Sequence, residues 1–287
     1  MDSYREIDLS QWIKTGEGGN GSTYENPSKP DVILKLNKPR LSTLDNVRHE
    51  FEVSDAVYKL GVQTPRMYEL VRVGNAYATI SERIRQKKSL SRICSDDPSQ
   101  IEDMARLMCR QGKALFSTPC DIHFFPSRRE QLFMALKLVR FVNKKTLRKI
   151  SEFAQTIQEV HTCIHGDFNT GNLIMAEGRP YWIDLDRFGY GDPMFDIGHL
   201  YLICNVYSSM KQVQDIFHMN EEQLLRFWSA FAESYCPVAE REQFERQSGK
   251  FACLDIILRY AFQKSSLPEQ IFFSINIHKL AARFFSE

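Results

Sequence analysis

His165-Gly166-Asp167-Phe168-Asn169-Thr170-Gly171-Asn172, followed by Leu173-Ile174-Met175 and then Tyr181-Trp182-Ile183-Asp184, is the stretch on which the reading of this chain turns. Two short apolar runs, rich in Ile, Tyr and Trp, flank a turn near Gly178 and predict a β-hairpin. That hairpin carries Asp184 back toward the loop that holds Asp167 and Asn172. Phosphoryl transfer needs these groups: a carboxylate beside an acceptor hydroxyl, and oxygen ligands that hold magnesium on a triphosphate. Hard oxygen donors with no Cys and no paired His favour magnesium over zinc or copper, and they leave His165 as a scaffold residue.

Upstream, Gly16-Glu17-Gly18-Gly19-Asn20-Gly21 fits a GxGxxG pattern, which several unrelated nucleotide folds share. In a dinucleotide fold the third glycine opens a helix. Here the chain runs instead into Pro27 and Pro30, which oppose a regular helix and favour a glycine hairpin over phosphates, with Gly16, Gly18 and Gly21 clearing room for backbone N–H groups. An ordinary flexible hairpin is the competing reading of the motif taken alone. Val32-Ile33-Leu34-Lys35 then ends an apolar strand on a lysine, and the following helix carries Glu50, able to anchor that lysine and aim it at the α- and β-phosphates. Glu52 is the rival partner and faces another way on a helix.

Up to about Ser81 the signals are short and β-like: Trp12 to Gly16, Ser22 to Glu25, Val32 to Leu36, Met67 to Val73 and Ala76 to Ile80. A helix from about Leu44 to Leu60, with Gly61 at its end, interrupts them. Beyond Ser81 long helical periodicities take over, at about Ile101 to Phe116, Arg128 to Phe141, Lys144 to Val160, Glu221 to Tyr235 and Lys250 to Phe262. The expectation is an α+β chain of two lobes: a nucleotide-binding lobe over 1–82, and a catalytic and substrate-binding lobe over 83–287, hinged at about 82–86.

The 287 residues, 43% apolar and 25% charged, exclude disordered and fibrous classes. With 37 basic against 36 acidic residues, the net charge of +1 offers no footprint for nucleic acid. Met1 to Gln11 has no apolar core to serve as a secretory signal, so a cytoplasmic protein is expected. The uncharged run Ile197 to Met210 is too short for a membrane span and predicts a buried helix. Seven scattered cysteines without a CxxC pair read as packed thiols.

At this point the sequence resembles the aminoglycoside phosphotransferase and choline kinase superfamily, on His165 to Asn172 and on Ile183 to Gly198, over nearly the whole chain. The resemblance implies a two-lobed, protein-kinase-like fold: a small antiparallel N-lobe sheet with one main helix, and a mainly helical C-lobe. It implies an ATP- and magnesium-dependent phosphotransferase acting on an alcohol group. Asp167 would be the catalytic base and Asn172 and Asp184 the magnesium ligands. Lys35 would bind phosphate with Glu50 as partner, backbone groups of Glu82 and Ile84 would hold adenine, and Asp196 would brace the catalytic loop. Asp186 stands open between a second metal ligand and a loop charge.

Protein kinases differ: Gly166 stands where HRD has arginine, Leu185-Asp186 follows Asp184 where DFG would stand, and only a short segment separates Asp184 from Asp196. A small-molecule hydroxyl acceptor is therefore favoured over a peptide. Balanced charge beyond Leu200 speaks against a polycationic aminoglycoside. A cationic acceptor such as choline would call for an aromatic cage, for which Tyr201, Tyr207, Phe227, Trp228 and Tyr235 are present, although aromatics at helical spacing are more often core. Sugars and amino alcohols lead the candidates, amino acids remain open, and a nucleotide-binding pseudoenzyme and an atypical protein kinase are the alternatives.

Overall fold

A computed structural model describes residues 4–17, 21–262 and 266–285. The chain divides into two compact units that do not follow it linearly: 1–88 together with 174–186, and 89–173 together with 187–287. The mixed α+β class and the antiparallel first sheet agree with the sequence.

In the first unit, β1 (Ile13–Glu17), β2 (Gly21–Asn26), β3 (Lys29–Asn37), β4 (Met67–Val73) and β5 (Ala76–Glu82) form an antiparallel sheet in the order β1-β2-β3-β5-β4. Side chains alternate across a strand. Leu34 therefore enters the core of Ile7, Val71, Ala78 and Ile80 with Val32 and Leu36 packed against it, while Ile33 and Lys35 take the other face. Helix α1 (Leu44–Lys59) is capped by Thr43, whose hydroxyl accepts from the Asn46 amide, and it packs on β4 and β5. Its buried Val47, Val53 and Val57 define the inward stripe, and Glu50, three residues from Val47 and from Val53, points the same way. Glu52 is exposed.

The chain leaves this unit through β6 (Lys88–Ser89). It returns after β7 (Cys163–Ile164) as the hairpin β8 (Leu173–Ala176) and β9 (Arg179–Trp182). The two-residue connection has φ of 49° at Glu177 and 77° at Gly178, the signature of a type I′ turn. Ile174, Ala176 and Tyr181 form a small core, with Ile84 and Ile183 against it.

The second unit is helical: α2 (Leu90–Asp96), α3 (Ile101–Phe116), α4 (Arg128–Leu138), α5 (Lys144–Thr156), α6 (Met194–Tyr201), α7 (Lys211–Phe217), α8 (Glu221–Tyr235), α9 (Arg241–Phe262) and α10 (Leu267–Phe284). A two-stranded antiparallel pair, β7 with β10 (Gly189–Tyr190), lies among them. Helix α6 packs along α9, α3 along α8, and α9 also along α4 and α10. Gly198 lets α6 close on α9: a Cβ there would stand 2.5 Å from that of Phe251.

Four helices differ by several residues from expectation, and the one expected at Lys250 to Phe262 already begins at Arg241. The helix expected to reach Phe141 stops at Leu138, and Phe141 is exposed with φ of 59°. The helix expected at Lys144 to Val160 ends at Thr156. The run at Ile197 begins as α helix and continues over Leu202–Val206 as a π turn. None of the seven cysteines is in a disulfide, and five are buried. Among the described residues no helix is long and apolar enough to cross a membrane.

Candidate active site

In the first unit Lys35 Nζ meets Glu50 Oε1 at 2.6 Å, and Asn37 Nδ2 donates to Glu50 Oε2 at 3.0 Å, so both carboxylate oxygens are committed. The structure thus selects Glu50 over Glu52. Burial works against the lysine's charge, yet Glu50, with Asp186 and Asp184 behind it, raises the Lys35 pKa above its ordinary value and keeps it cationic. Asp184 has φ of 61°, a left-handed conformation uncommon for a residue with a Cβ. Gly16 lies in β1 and Gly21 begins β2, while Gly18 falls outside the described residues. Glu82 ends β5 and donates its N–H to Arg66 O at 2.8 Å, so contact of its backbone with a base falls to its carbonyl; Ile84 packs on the hairpin core.

In the second unit, Asp196 on α6 accepts from the His165 amide at 2.6 Å and from the Gly166 amide at 2.8 Å, bracing the loop that carries Asp167. Burial pushes the Asp196 carboxyl up to about 6, against those two donors and the charge of Arg128. Gly166 has φ of 78°, and any Cβ there would collide with the Arg128 guanidinium and the Arg187 carbonyl. This is the local reason that glycine occupies the position.

Four donors surround the Asp167 carboxylate. Asn172 Nδ2 donates to Oδ2 at 2.8 Å and Asn169 Nδ2 to the same oxygen at 3.3 Å. Arg259 Nη2 donates to Oδ1 at 2.9 Å, and His199 Nε2 lies 3.1 Å from it. Against its burial, His199 and Arg259 hold the Asp167 carboxyl well below the usual carboxylate range. Both partners are in turn fixed by the buried Asp255, which faces His199 Nδ1 at 2.9 Å and accepts from Arg259 Nε at 2.9 Å. Burial and Arg259 work against charge on His199, but Asp255 and Asp167 prevail and raise its pKa.

The sequence reading missed Arg259, His199 and Asp255. A signal was present: Asp255 and Arg259 stand four apart in the apolar run Ala252 to Phe262, the spacing of an intrahelical ion pair on a face with no water to solvate it. Of the aromatics considered for a cationic acceptor, Tyr201, Phe227 and Trp228 are buried core, with Tyr201 edge-on to Trp228 at 5.0 Å. Tyr235 stacks on Phe244 and lies under Lys113.

Among the described residues no group of three or more His, Cys, Asp or Glu is arranged to hold a metal. Asn172 turns its Nδ2 toward Asp167, which leaves its Oδ1, a hard oxygen donor, outside that contact.

Solved structures similar over nearly the full chain include an aminoglycoside phosphotransferase, a thermostable APH(4)-Ia mutant in ternary complex with AMP-PNP and hygromycin B (TM-score 0.62, 12% identity, 96% of this chain and 93% of that one). The choline kinase LicA from Streptococcus pneumoniae gives a TM-score of 0.55 at 13% identity over 96% and 95%. The amicoumacin kinase hAmiN, in complex with AMP-PNP, Ca2+ and Ami, gives 0.53 at 12% over 98% and 90%. At such identities these likenesses speak for the fold, and they bear out the protein-kinase-like architecture. A search of curated proteins by sequence finds no match. The family model described as "Phosphotransferase enzyme family" matches residues 17–232, three quarters of the chain and all of the stretch His165 to Asn172, and on that match the chain belongs to this family of phosphotransferases.

Proposed function

We propose that the protein transfers the γ-phosphate of ATP to a hydroxyl of a small molecule, with residues 1–82 as its nucleotide-binding part and the rest as its catalytic and acceptor-binding part. The observation that carries the reading is Asp167: a carboxylate kept ionised by fixed donors, on a loop braced at two amides by Asp196. Such a group is deprotonated and fixed in place, able to orient an acceptor hydroxyl and to take its proton as transfer proceeds. Lys35, cationic and held by Glu50, binds the α- and β-phosphates. Gly16, Gly18 and Gly21 let the first hairpin lie on the triphosphate, and the backbone of Glu82 and Ile84 receives the adenine. Asn172 and Asp184 would hold magnesium, which neutralises charge on the phosphates when bound. Asp186, close enough to act on the charge of Lys35, stays a phosphate-side carboxylate of secondary rank.

A small acceptor is favoured over a protein because Arg187 to Pro193 is all that separates Asp186, just after the β8–β9 hairpin, from α6, which leaves little segment on which a peptide could lie. The test is nucleotide binding by calorimetry with and without magnesium. Wild type should bind ATP tightly only with magnesium, and Asp184→Ala should lose most of that magnesium dependence. Equal affinity with and without magnesium in the parent protein contradicts the assignment.

A further inference from the structure

The helical unit carries an exposed surface whose residues the reaction as described does not use. Between Gln131 and Lys149 the chain holds six basic residues and no acidic one. Of these, Arg148 pairs with Glu152 and Lys149 reaches the Phe285 carbonyl. Lys137, Arg140, Lys144 and Lys145 are exposed and have no ion-pair partner among the described residues. Lys144 and Lys145 also open α5 with no carboxylate in its first turn, against the positive end of the helix macrodipole.

Exposed apolar side chains stand among these charges. Leu138 ends α4 and Phe141 follows it, while on α10 Leu267, Ile271 and Ile275 recur at every fourth position; all five are 48% to 58% exposed. Helix α10 brings the two sets together. It runs in the same direction as α5, with His278 Nε2 accepting from the Asn143 amide at 3.3 Å and the Phe285 carbonyl accepting from Lys149 Nζ at 3.3 Å. Ser274 Oγ donates to the Phe141 carbonyl at 2.5 Å. Ser274 and His278 share a face of α10 with Leu267, Ile271 and Ile275, the five falling within an arc of about 100°. The apolar stripe therefore borders the 138–145 segment. Glu269, the one carboxylate of α10, is turned away from that arc and is committed to its Ser266 capping box.

Charge and arrangement decide the partner. A second copy meeting the same face in an isologous pair would set like charges against one another. An anionic bilayer surface takes both kinds of side chain at once: lysine and arginine heads stay at headgroup level on their long stems, while apolar side chains enter the acyl boundary. It also supplies negative charge at the start of α5, where the chain has none.

We infer that this face of α10, with the 138–145 segment, docks the protein on an anionic lipid surface. The chain lies on the membrane and does not span it, in keeping with the lack, among the described residues, of a helix long and apolar enough to cross. The inference is independent of the phosphotransferase reading.

The test is co-sedimentation of the full chain with vesicles of phosphatidylcholine alone and of phosphatidylcholine with about one third phosphatidylserine. The protein should bind the anionic vesicles about tenfold or more tightly than the neutral ones, and high salt should weaken that binding. Two variants separate the contributions. Lys144→Glu/Lys145→Glu suits the macrodipole of α5 and should leave the melting temperature equal or higher. Phe141→Asn/Ile271→Gln places asparagine at a left-handed position, which it tolerates, and glutamine at an exposed helical one, so the fold should persist. Each variant should lower binding to the anionic vesicles about tenfold or more.

Equal binding to the two kinds of vesicle, binding to neither, or unchanged binding in either variant overturns the inference. Tighter binding of a polyglutamate peptide than of the anionic vesicles, lost in both variants, would assign the face to an acidic protein and overturn it as well. A concentration-dependent dimer in analytical ultracentrifugation that Phe141→Asn/Ile271→Gln abolishes would assign the face to a second copy, with the same consequence.

Discussion

Asp167 and Gly166 show how one residue's environment decides its use. The Asp167 carboxylate receives Asn172 and Asn169 on one oxygen and faces Arg259 and His199 on the other. Two of these partners, Asn172 and Asn169, sit in the quoted motif and were legible beside it. The other two reach it from α9 and α6, at sequence separations that no local pattern reports. Gly166 was legible as a departure from HRD; its reason, a left-handed φ and the Arg128 guanidinium in the way of a Cβ, needed the fold. Gly166→Ala should therefore destabilise the protein by about 3 kcal/mol, the sum of a strained backbone and a core clash, as read from urea unfolding. A loss under about 1 kcal/mol would mean that the loop relaxes around the methyl group.

At the scale of elements, the sequence marked β4, α3 and α8 to the residue, because their apolar periodicity runs to well-defined ends. It left out α2, α7 and α10. The first two are single short segments of seven residues, and α10 opens with a Ser266–Glu269 capping box and Pro268 that resemble a loop until the helix is seen. Helix α1 could be placed, and its phase chose Glu50 over Glu52. Glu50→Gln should raise the KM for ATP about tenfold or more, since the lysine loses its charged anchor, with Glu52→Gln near wild type; steady-state kinetics decide, and equal effects would contradict the pairing. The α6–α9 contact makes an acid-sensitive element of Asp255. Arg259 and His199, against its burial, lower its pKa in the folded protein, so its stabilising contribution is complete above the unfolded value of about 3.9 and is lost as the pH falls below it. The melting temperature should fall steeply below about pH 4, and Asp255→Asn should lower it at pH 7 while flattening that decline. A variant that keeps the parental acid slope would remove Asp255 from the account.

For the whole molecule, the phosphotransferase family and the kinase-like fold were legible because they depend on a few spaced residues, Lys35, Glu50, Asp167, Asn172 and Asp184, set on strongly patterned elements. The compact units differ from the linear division at 82–86: the first unit runs to 88 and takes in the hairpin 174–186, a consequence of the core of Ile174, Ala176 and Tyr181 with Ile84. Acceptor chemistry was not legible, since charge balance counted along the chain does not report which side chains the fold brings together. The most direct measurement is mass spectrometry of a mixed pool of sugars, amino alcohols, amino acids and hydroxy acids after incubation with ATP and magnesium, using wild type and Asp167→Asn side by side. The account predicts a phosphorylated small molecule with wild type, formed roughly 100- to 10,000-fold more slowly by the variant although the variant still binds nucleotide. Equal product from both proteins would contradict it.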